Sequence, residues 1–419
     1  MAPHFRPRRL ATAALTAAFA VLVAACAPAH PNSIFHNHTD FNRDVGHLFD
    51  ILIGLGSFVF LFVETILVVT LIKFRKREGQ PAPVHVHGNT KLEILWTAIP
   101  AVILAVIAVP TVRTIFKTEA PATADALQVT VTGHQWWWEF QYPQYGITTA
   151  NELYLPIGRK VNFTLRTADV IHSFWVPELG GKRDLISNHT NYLWFTPDSV
   201  TEDVFNGFCA EFCGTSHANM RFKVFTVKPA EFAAWAAHQE QPAVSLIPDT
   251  TKAKPGAITA AMPAPTMQVA QAAPATESFV SFPRADIPKY AVPETPIPAG
   301  MTFDQSLKGD PVEGQKLISA PTSMCLACHT IKGNPMMQAV LGPNLTHVAT
   351  RTTIAGGLYP NDAQHLELWI KNARVMKPGV IMNTLGAGQI DPMTGKPTDV
   401  GKLTDQQIAD IVAYLQTLK

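Results

Sequence analysis

Cysteine is scarce in this chain, with five in 419 residues. That is too few for a disulfide scaffold, and each has an evident setting. Cys26 ends an apolar N-terminal run, Cys209 and Cys213 share one short segment, and Cys325 and Cys328 share another. Charge is scarce as well: charged residues make up 16% of the sequence, and 33 Lys and Arg nearly cancel 32 Asp and Glu. A chain so balanced has no basic field to hold nucleic acid and no acidic tail, so any electrostatic docking has to be local. What is abundant is apolar sequence and proline, 33 residues of the latter. At this length they imply several modules joined by linkers.

Residues 1–25 carry Arg6, Arg8 and Arg9, then an apolar stretch from Leu10 to Val23, then Ala24 and Ala25. Charge, length and ending are those of a signal peptide. Val23-Ala24-Ala25-Cys26 is similar to the bacterial lipobox, which makes Cys26 a lipidated mature N-terminus; a plain signal peptide with an incidental cysteine is the alternative. Both send the rest across the membrane. Within 26–119, two runs at about 48–72 and 94–115 are almost continuously apolar, and about 20 such residues cross a bilayer. Lys73, Arg75, Lys76, Arg77 and Lys91 lie between them, against Arg43, Arg113 and Lys117 on the outer flanks. The pair therefore reads as a transmembrane hairpin with a cytoplasmic connection and both long flanks outside. Glu64 falls inside the first run, where a carboxylate facing lipid is costly, so it calls for a protein partner.

Residues 120–230 change texture. Leu127-Gln128-Val129-Thr130-Val131-Thr132 and Val161-Asn162-Phe163-Thr164-Leu165 alternate apolar with polar as half-buried strands do, and several short strands imply a β-sandwich or small barrel. Residues 231–300 are rich in Pro and Ala, a semi-extended linker apart from a short helix at 231–238. Residues 301–419 are helical in pattern: segments near Gly314 to Ile318 and Asp362 to Asn372 precede a capping box, Thr404-Asp405-Gln406-Gln407, that opens an amphipathic last helix.

Cys209-Ala-Glu-Phe-Cys213-Gly-Thr-Ser-His217-Ala-Asn-Met220 places two thiols, an imidazole and a thioether in one short run. Such soft donors favour copper over hard cations. Zinc on a Cys2His2 set and a Cys209–Cys213 disulfide are the alternatives; neither uses Met220. Downstream, Cys325-Leu326-Ala327-Cys328-His329 is the attachment signature of c-type haem, with His329 the proximal ligand. A downstream methionine is the expected distal ligand, and Met376 and Met382 both fit; Lys377-Pro378-Gly379-Val380-Ile381-Met382 resembles the cytochrome c segment that leads to this ligand, which implies Met382.

Together these motifs resemble subunit II of cytochrome c oxidase in the branch that carries a fused cytochrome c, over residues 26–230 and 301–419. The resemblance implies a multidomain chain: a two-helix transmembrane hairpin, a cupredoxin-like β-sandwich and an all-α cytochrome c domain. It implies a dinuclear copper A centre of two copper ions. Cys209 and Cys213 would bridge them, His217 and the upstream His172 would each cap one, Met220 would be a weak ligand and Glu211 would lend its backbone carbonyl. The Glu211 carboxylate would reach a Mg or Mn ion at the boundary with subunit I. Trp136, in Gly133-His134-Gln135-Trp136-Trp137-Trp138, would be the electron entry point, and Glu93, in Lys91-Leu92-Glu93-Ile94-Leu95-Trp96-Thr97, a proton-path entrance. Ser187-Asn188 stands where the family usually has Pro-Gly. The implied function is an electron-entry subunit of a haem-copper oxidase in the bacterial inner membrane. It would pass electrons from a c-type cytochrome or similar donor through haem c and copper A to subunit I, with subunit III nearby, for oxygen reduction and proton pumping. A nitric oxide reductase subunit with the same copper entry site, or a membrane-tethered electron carrier, is the rival reading.

Overall fold

The computed structural model describes residues 32–75, 78–79, 87–198, 203–247, 287 and 295–419. The leader, Cys26 and most of the Pro/Ala-rich segment lie outside them.

Two long helices come first, α1 Asp40–Lys73 and α2 Thr90–Glu119. Both outrun the apolar segments because polar caps extend them. The Thr39 side chain accepts from the Asn42 N–H and Asn89 accepts from Lys91 and Leu92, satisfying N–H groups that the first turn leaves open. Both are long and apolar enough to cross a membrane, and their apolar windows have no residue buried inside the protein. Their outer ends are tied to the next domain: Asp40 accepts from the N–H and hydroxyl of Thr196, Arg43 pairs with Asp198 at 2.7 Å, and Arg183 pairs with Glu119 at 2.7 Å.

That domain is a sandwich of two five-stranded sheets. In chain order its strands are β1 Leu127–His134, β2 Trp137–Tyr142, β3 Ile147–Ala150, β4 Glu152–Pro156, β5 Val161–Thr167, β6 His172–Trp175, β7 Arg183–Leu185, β8 Asn191–Phe195, β9 Asp203–Cys209 and β10 Arg221–Val227. One sheet runs β3-β2-β1-β5-β8 and the other β4-β10-β9-β6-β7. The alternation seen in the sequence is the inside-outside alternation of the pleat: β1 buries every second residue. Between the sheets Trp138, Phe140, Phe163, Phe174 and Phe222 are fully buried; most of their contacts are edge-on or tilted, and Phe174 stacks on Phe222. Such aromatic pairs each add about 0.5–1.5 kcal/mol beyond their burial, which makes this the firm base of the domain. Helix α3, Pro229–Gln239, lays Phe232 and Trp235 on Tyr142 and Tyr154. The short helix expected at 231–238 thus forms and joins the sandwich, because two aromatic side chains have a core to enter.

The C-terminal domain has α4 Pro311–Ser319, α5 Ala363–Lys371, α6 Ala373–Met376 and α7 Asp405–Leu415. It also has two small ribbons, β11 Thr353–Ile354 with β12 Tyr359–Pro360 and β13 Ile390–Asp391 with β14 Lys396–Pro397, so the all-helical expectation holds for its framework while its loops pair locally. α4 crosses α7 in near backbone contact. A Cβ on Gly314 would lie 1.9 Å from the Asp410 carbonyl oxygen, so no other residue fits there.

The C-terminal domain rests on the sandwich through buried polar contacts. Glu152 accepts from Thr352 N at 2.7 Å, Thr352 Oγ1 at 2.6 Å and Thr353 N at 3.2 Å. Lys377 Nζ donates to the Trp136 carbonyl at 2.6 Å and to that of Ala355 at 2.9 Å, and Ser216 Oγ donates to the Pro378 carbonyl at 2.6 Å. Both charged groups are almost wholly buried. Burial raises the Glu152 carboxyl above its ordinary range and pulls Lys377 down to about 7. Glu152→Ala strands the N–H groups of Thr352 and Thr353, a cost of about 1–3 kcal/mol. Those two amides should exchange hydrogen faster in the variant; unchanged protection would mean that the domains are held by other contacts.

Candidate metal centre and haem cavity

The thiols and imidazoles of the Cys-rich run are assembled by neighbouring strands. β6 and β9 pair with Phe174 opposite Cys209, which brings His172, at the head of β6, beside the end of β9. The loop from Ala210 to Met220 leaves β9 and returns on β10, closed at its base by the Cys209 N–H to the Met220 carbonyl at 3.1 Å. Inside it Cys209 Sγ is 3.7 Å from Cys213 Sγ and 3.8 Å from His172 Nδ1, while Cys213 Sγ is 3.6 Å from His217 Nδ1 and 3.8 Å from Met220 Sδ. The Glu211 carbonyl oxygen lies 3.3 Å from Cys209 Sγ. His172, Cys209, Cys213 and Met220 are buried. These separations suit donors shared by a metal ion with bonds to N and S of about 2.0–2.3 Å, as zinc makes. Two soft thiols, two imidazoles and a thioether fit copper chemically.

The surroundings orient each donor. Asp169 Oδ1 lies 2.8 Å from His172 Nε2, which leaves Nδ1 turned toward the sulfurs. Gly133 keeps that ring in place: a Cβ there would sit 2.7 Å from His172 Cδ2. The Cys213 carbonyl accepts from Gln135 Nε2 at 2.7 Å and Trp136 Nε1 at 3.0 Å. The two thiols lie 3.7 Å apart and titrate against each other. The Cys213 bond holds the Cys209 thiol down at about 3, and the same contact pushes Cys213 up, so one sulfur is ready to bind a cation as thiolate. Burial pulls His172 down, but its bonds to Asp169 and Cys209 outweigh this and raise it. Asp169 and Gln135 escaped the reading of the sequence, although each lies beside a residue singled out there.

A cavity of about 480 Å³ opens between the domains. Cys325, Cys328, His329 and Met382 line it from the C-terminal domain, among apolar neighbours such as Ile318, Leu341 and Leu415; Trp136 and Trp137 line it from the sandwich. His329 Nδ1 bonds the Pro343 carbonyl at 2.8 Å, so Nε2 is the ring atom left to meet a ligand. An apolar slot with two cysteines, an oriented imidazole and a thioether fits a covalently held haem. Met376 is buried in the core beside Tyr359, whose hydroxyl donates to the Met376 carbonyl, and does not line the cavity.

The other expected sites lie apart from this cluster. The Glu211 side chain is exposed, Glu93 sits exposed in the first turn of α2, and Glu64 is half-buried along α1. Asn188 has φ +60°, a left-handed conformation that Asn tolerates, so Ser187-Asn188 makes the kind of bend a Gly would make.

A membrane hairpin carrying a copper-type β-sandwich and a haem-type domain defines a membrane-anchored electron-transfer subunit. Similarity to known proteins agrees. The family model described as "Cytochrome C oxidase subunit II, transmembrane domain" matches residues 36–114, that described as "Cytochrome C oxidase subunit II, periplasmic domain" matches 146–227, and "Cytochrome c" matches 311–419. Cytochrome c oxidase subunit 2 of Alkalihalophilus pseudofirmus is 31% identical over 373 residues, 87% of this chain and 84% of that protein. Its counterpart in Bacillus sp. (strain PS3) is 31% identical over 363 residues, 83% of this chain and 80% of the relative. The crystal structure of the periplasmic domain of subunit II of cytochrome oxidase of Bradyrhizobium japonicum is similar at 29% identity, covering 29% of this chain and 96% of that one, with a TM-score of 0.27. The chain belongs to the cytochrome c oxidase subunit II family, and it is an electron-input subunit of that oxidoreductase, partnered with subunit I.

Gly342 packs under the His329 ring, where a Cβ would lie 2.8 Å from Cε1. Gly342→Ala should therefore destabilise the C-terminal domain by about 1–3 kcal/mol through overpacking. Chemical denaturation of the two proteins measures this, and equal midpoints would show that the ring yields freely.

Proposed function

We propose that this subunit takes electrons from an external donor such as a c-type cytochrome into its own 301–419 domain and passes them, inside one chain, to the 120–230 domain and on to subunit I. When bound, the haem and the copper pair supply the one-electron chemistry; the residues hold and orient them and exclude water. Cys325 and Cys328 would tether the haem, with His329 and Met382 its axial ligands; Met382 is favoured over Met376 because it lines the cavity. His172, Cys209, Cys213, His217, Met220 and the Glu211 carbonyl would hold the copper pair.

The observation that carries this reading is the position of Trp136. Its indole N–H bonds the Cys213 carbonyl at 3.0 Å, its ring lines the haem cavity, and it is only 8% exposed. The face through which an outside protein would reach Trp136 is covered by the chain's own C-terminal domain. An external donor would therefore meet the exposed side of the haem cavity instead. Glu93 as proton-path entrance, the Glu211 carboxylate on a Mg or Mn ion, contact with subunit III, and an inner-membrane setting with both large domains outside and Cys26 lipidated belong to the same proposal. They rest on family resemblance and charge placement.

Three outcomes test it. The purified subunit should contain two coppers on the His172, Cys209, Cys213 and His217 donors; a single copper, or zinc in place of either, sinks the ligand assignment. Trp136→Leu should slow intramolecular reduction of copper by haem after flash reduction, with both spectra intact, and an unchanged rate would remove Trp136 from the route. Met382→Ala should lower the haem potential and abolish the methionine-to-iron band, whereas the same result from Met376→Ala would reverse the assignment.

A further inference from the structure

We infer that His36, His38 and Glu178 form a second metal site, for one divalent transition ion of the zinc type, fastening the segment before α1 to the sandwich. The three residues bring their donor atoms together within 4.8 Å of one another and share none with the copper cluster. His36 Nδ1 and His38 Nε2 each lie 3.6 Å from the same oxygen, Oε2 of Glu178. That is long for a hydrogen bond, which prefers about 2.7–3.2 Å. It is close to the roughly 3.4 Å that two N or O donors keep on one tetrahedral zinc with bonds of about 2.0–2.2 Å. The thiols and imidazoles of the copper-type cluster show the same spacing, 3.6–3.8 Å.

The carboxylate is prepared for this role. Oε1 is occupied by the Asn32 N–H at 2.9 Å, which turns Oε2 to the histidines, and the side chain is only 10% exposed. The His38 ring is set against Phe205, with centroids 5.3 Å apart, and its backbone is bonded on both sides, the N–H to the Glu178 carbonyl at 3.3 Å and the carbonyl to the Asp198 N–H at 2.9 Å. Both imidazoles are about 30% exposed, so an ion can arrive from solvent and water can complete its fourth position. Two neutral imidazoles and one carboxylate suit zinc or copper and are poor partners for Mg or Ca, which prefer all-oxygen shells. With the ion in place, the strap 32–39 that leads into the first membrane helix is clamped to the turn following β6.

The test uses the purified, copper- and haem-replete oxidase. The complex is stripped with a mild chelator and equilibrated with zinc, and its metals are counted by mass spectrometry. The wild type should retain one zinc more than a His36→Gln/His38→Gln double variant, with copper and iron unchanged, and Glu178→Gln should weaken that zinc about tenfold or more. Cobalt in place of zinc should give the tetrahedral signature in cobalt K-edge X-ray absorption, which haem and copper do not mask, in the wild type and not in the double variant. Equal zinc in both proteins, or no tetrahedral cobalt spectrum in the wild type, overturns the proposal. The cobalt result on unmodified protein decides the matter even if a variant fails to fold.

Discussion

Trp136 joins the two halves of this molecule, and its burial is the constraint on which the rest depends. Its ring lines the haem cavity, its N–H is bonded to the Cys213 carbonyl, and its own carbonyl accepts from Lys377 of the opposite domain. A Cβ on Gly379 would press within 2.8 Å of the indole, so the C-terminal domain has been fitted around this side chain. An exposed tryptophan can serve a visiting partner; a buried one serves the domain that covers it. Lys377 and Glu152, both buried at this interface, act as registration points, because a buried ionisable group tolerates only the geometry that satisfies it.

The cluster beneath Trp136 is held in the way that the one-electron chemistry proposed for it would require. Donor atoms must stay put when charge changes. Aromatic packing lies behind them, and the loop carrying most of them is closed at its base by a backbone bond. Asp169 and Gly133 then fix the one ligand that comes from a different strand. The scaffold thereby withholds the freedom that a short peptide with the same cysteines and histidines would have.

The long apolar helices join the sandwich at the first turn of α1 and the last turn of α2. Ion pairs and caps tie the ends of both helices to the sandwich. The His36, His38 and Glu178 cluster lies on the same strap, a metal clamp being a compact way to stiffen a short segment with no core of its own.

Local chemistry made much of this legible in advance. Two apolar runs, a CxxCH, and thiols, imidazole and thioether in twelve residues each carry their meaning within a few positions, because membrane thickness, haem attachment and metal softness are short-range demands. Strand alternation and the Thr404 capping box were readable for the same reason, period and cap being properties of adjacent residues. What only the tertiary structure decided involves partners far apart in the chain. Glu152 meets Thr352 across 200 positions and Lys377 reaches Trp136 across 241. α3 leaves the linker because Tyr142 and Tyr154 wait for it, and Glu178 finds two histidines about 140 residues upstream. Such contacts depend on how sheets and domains are packed, and no local pattern encodes that packing.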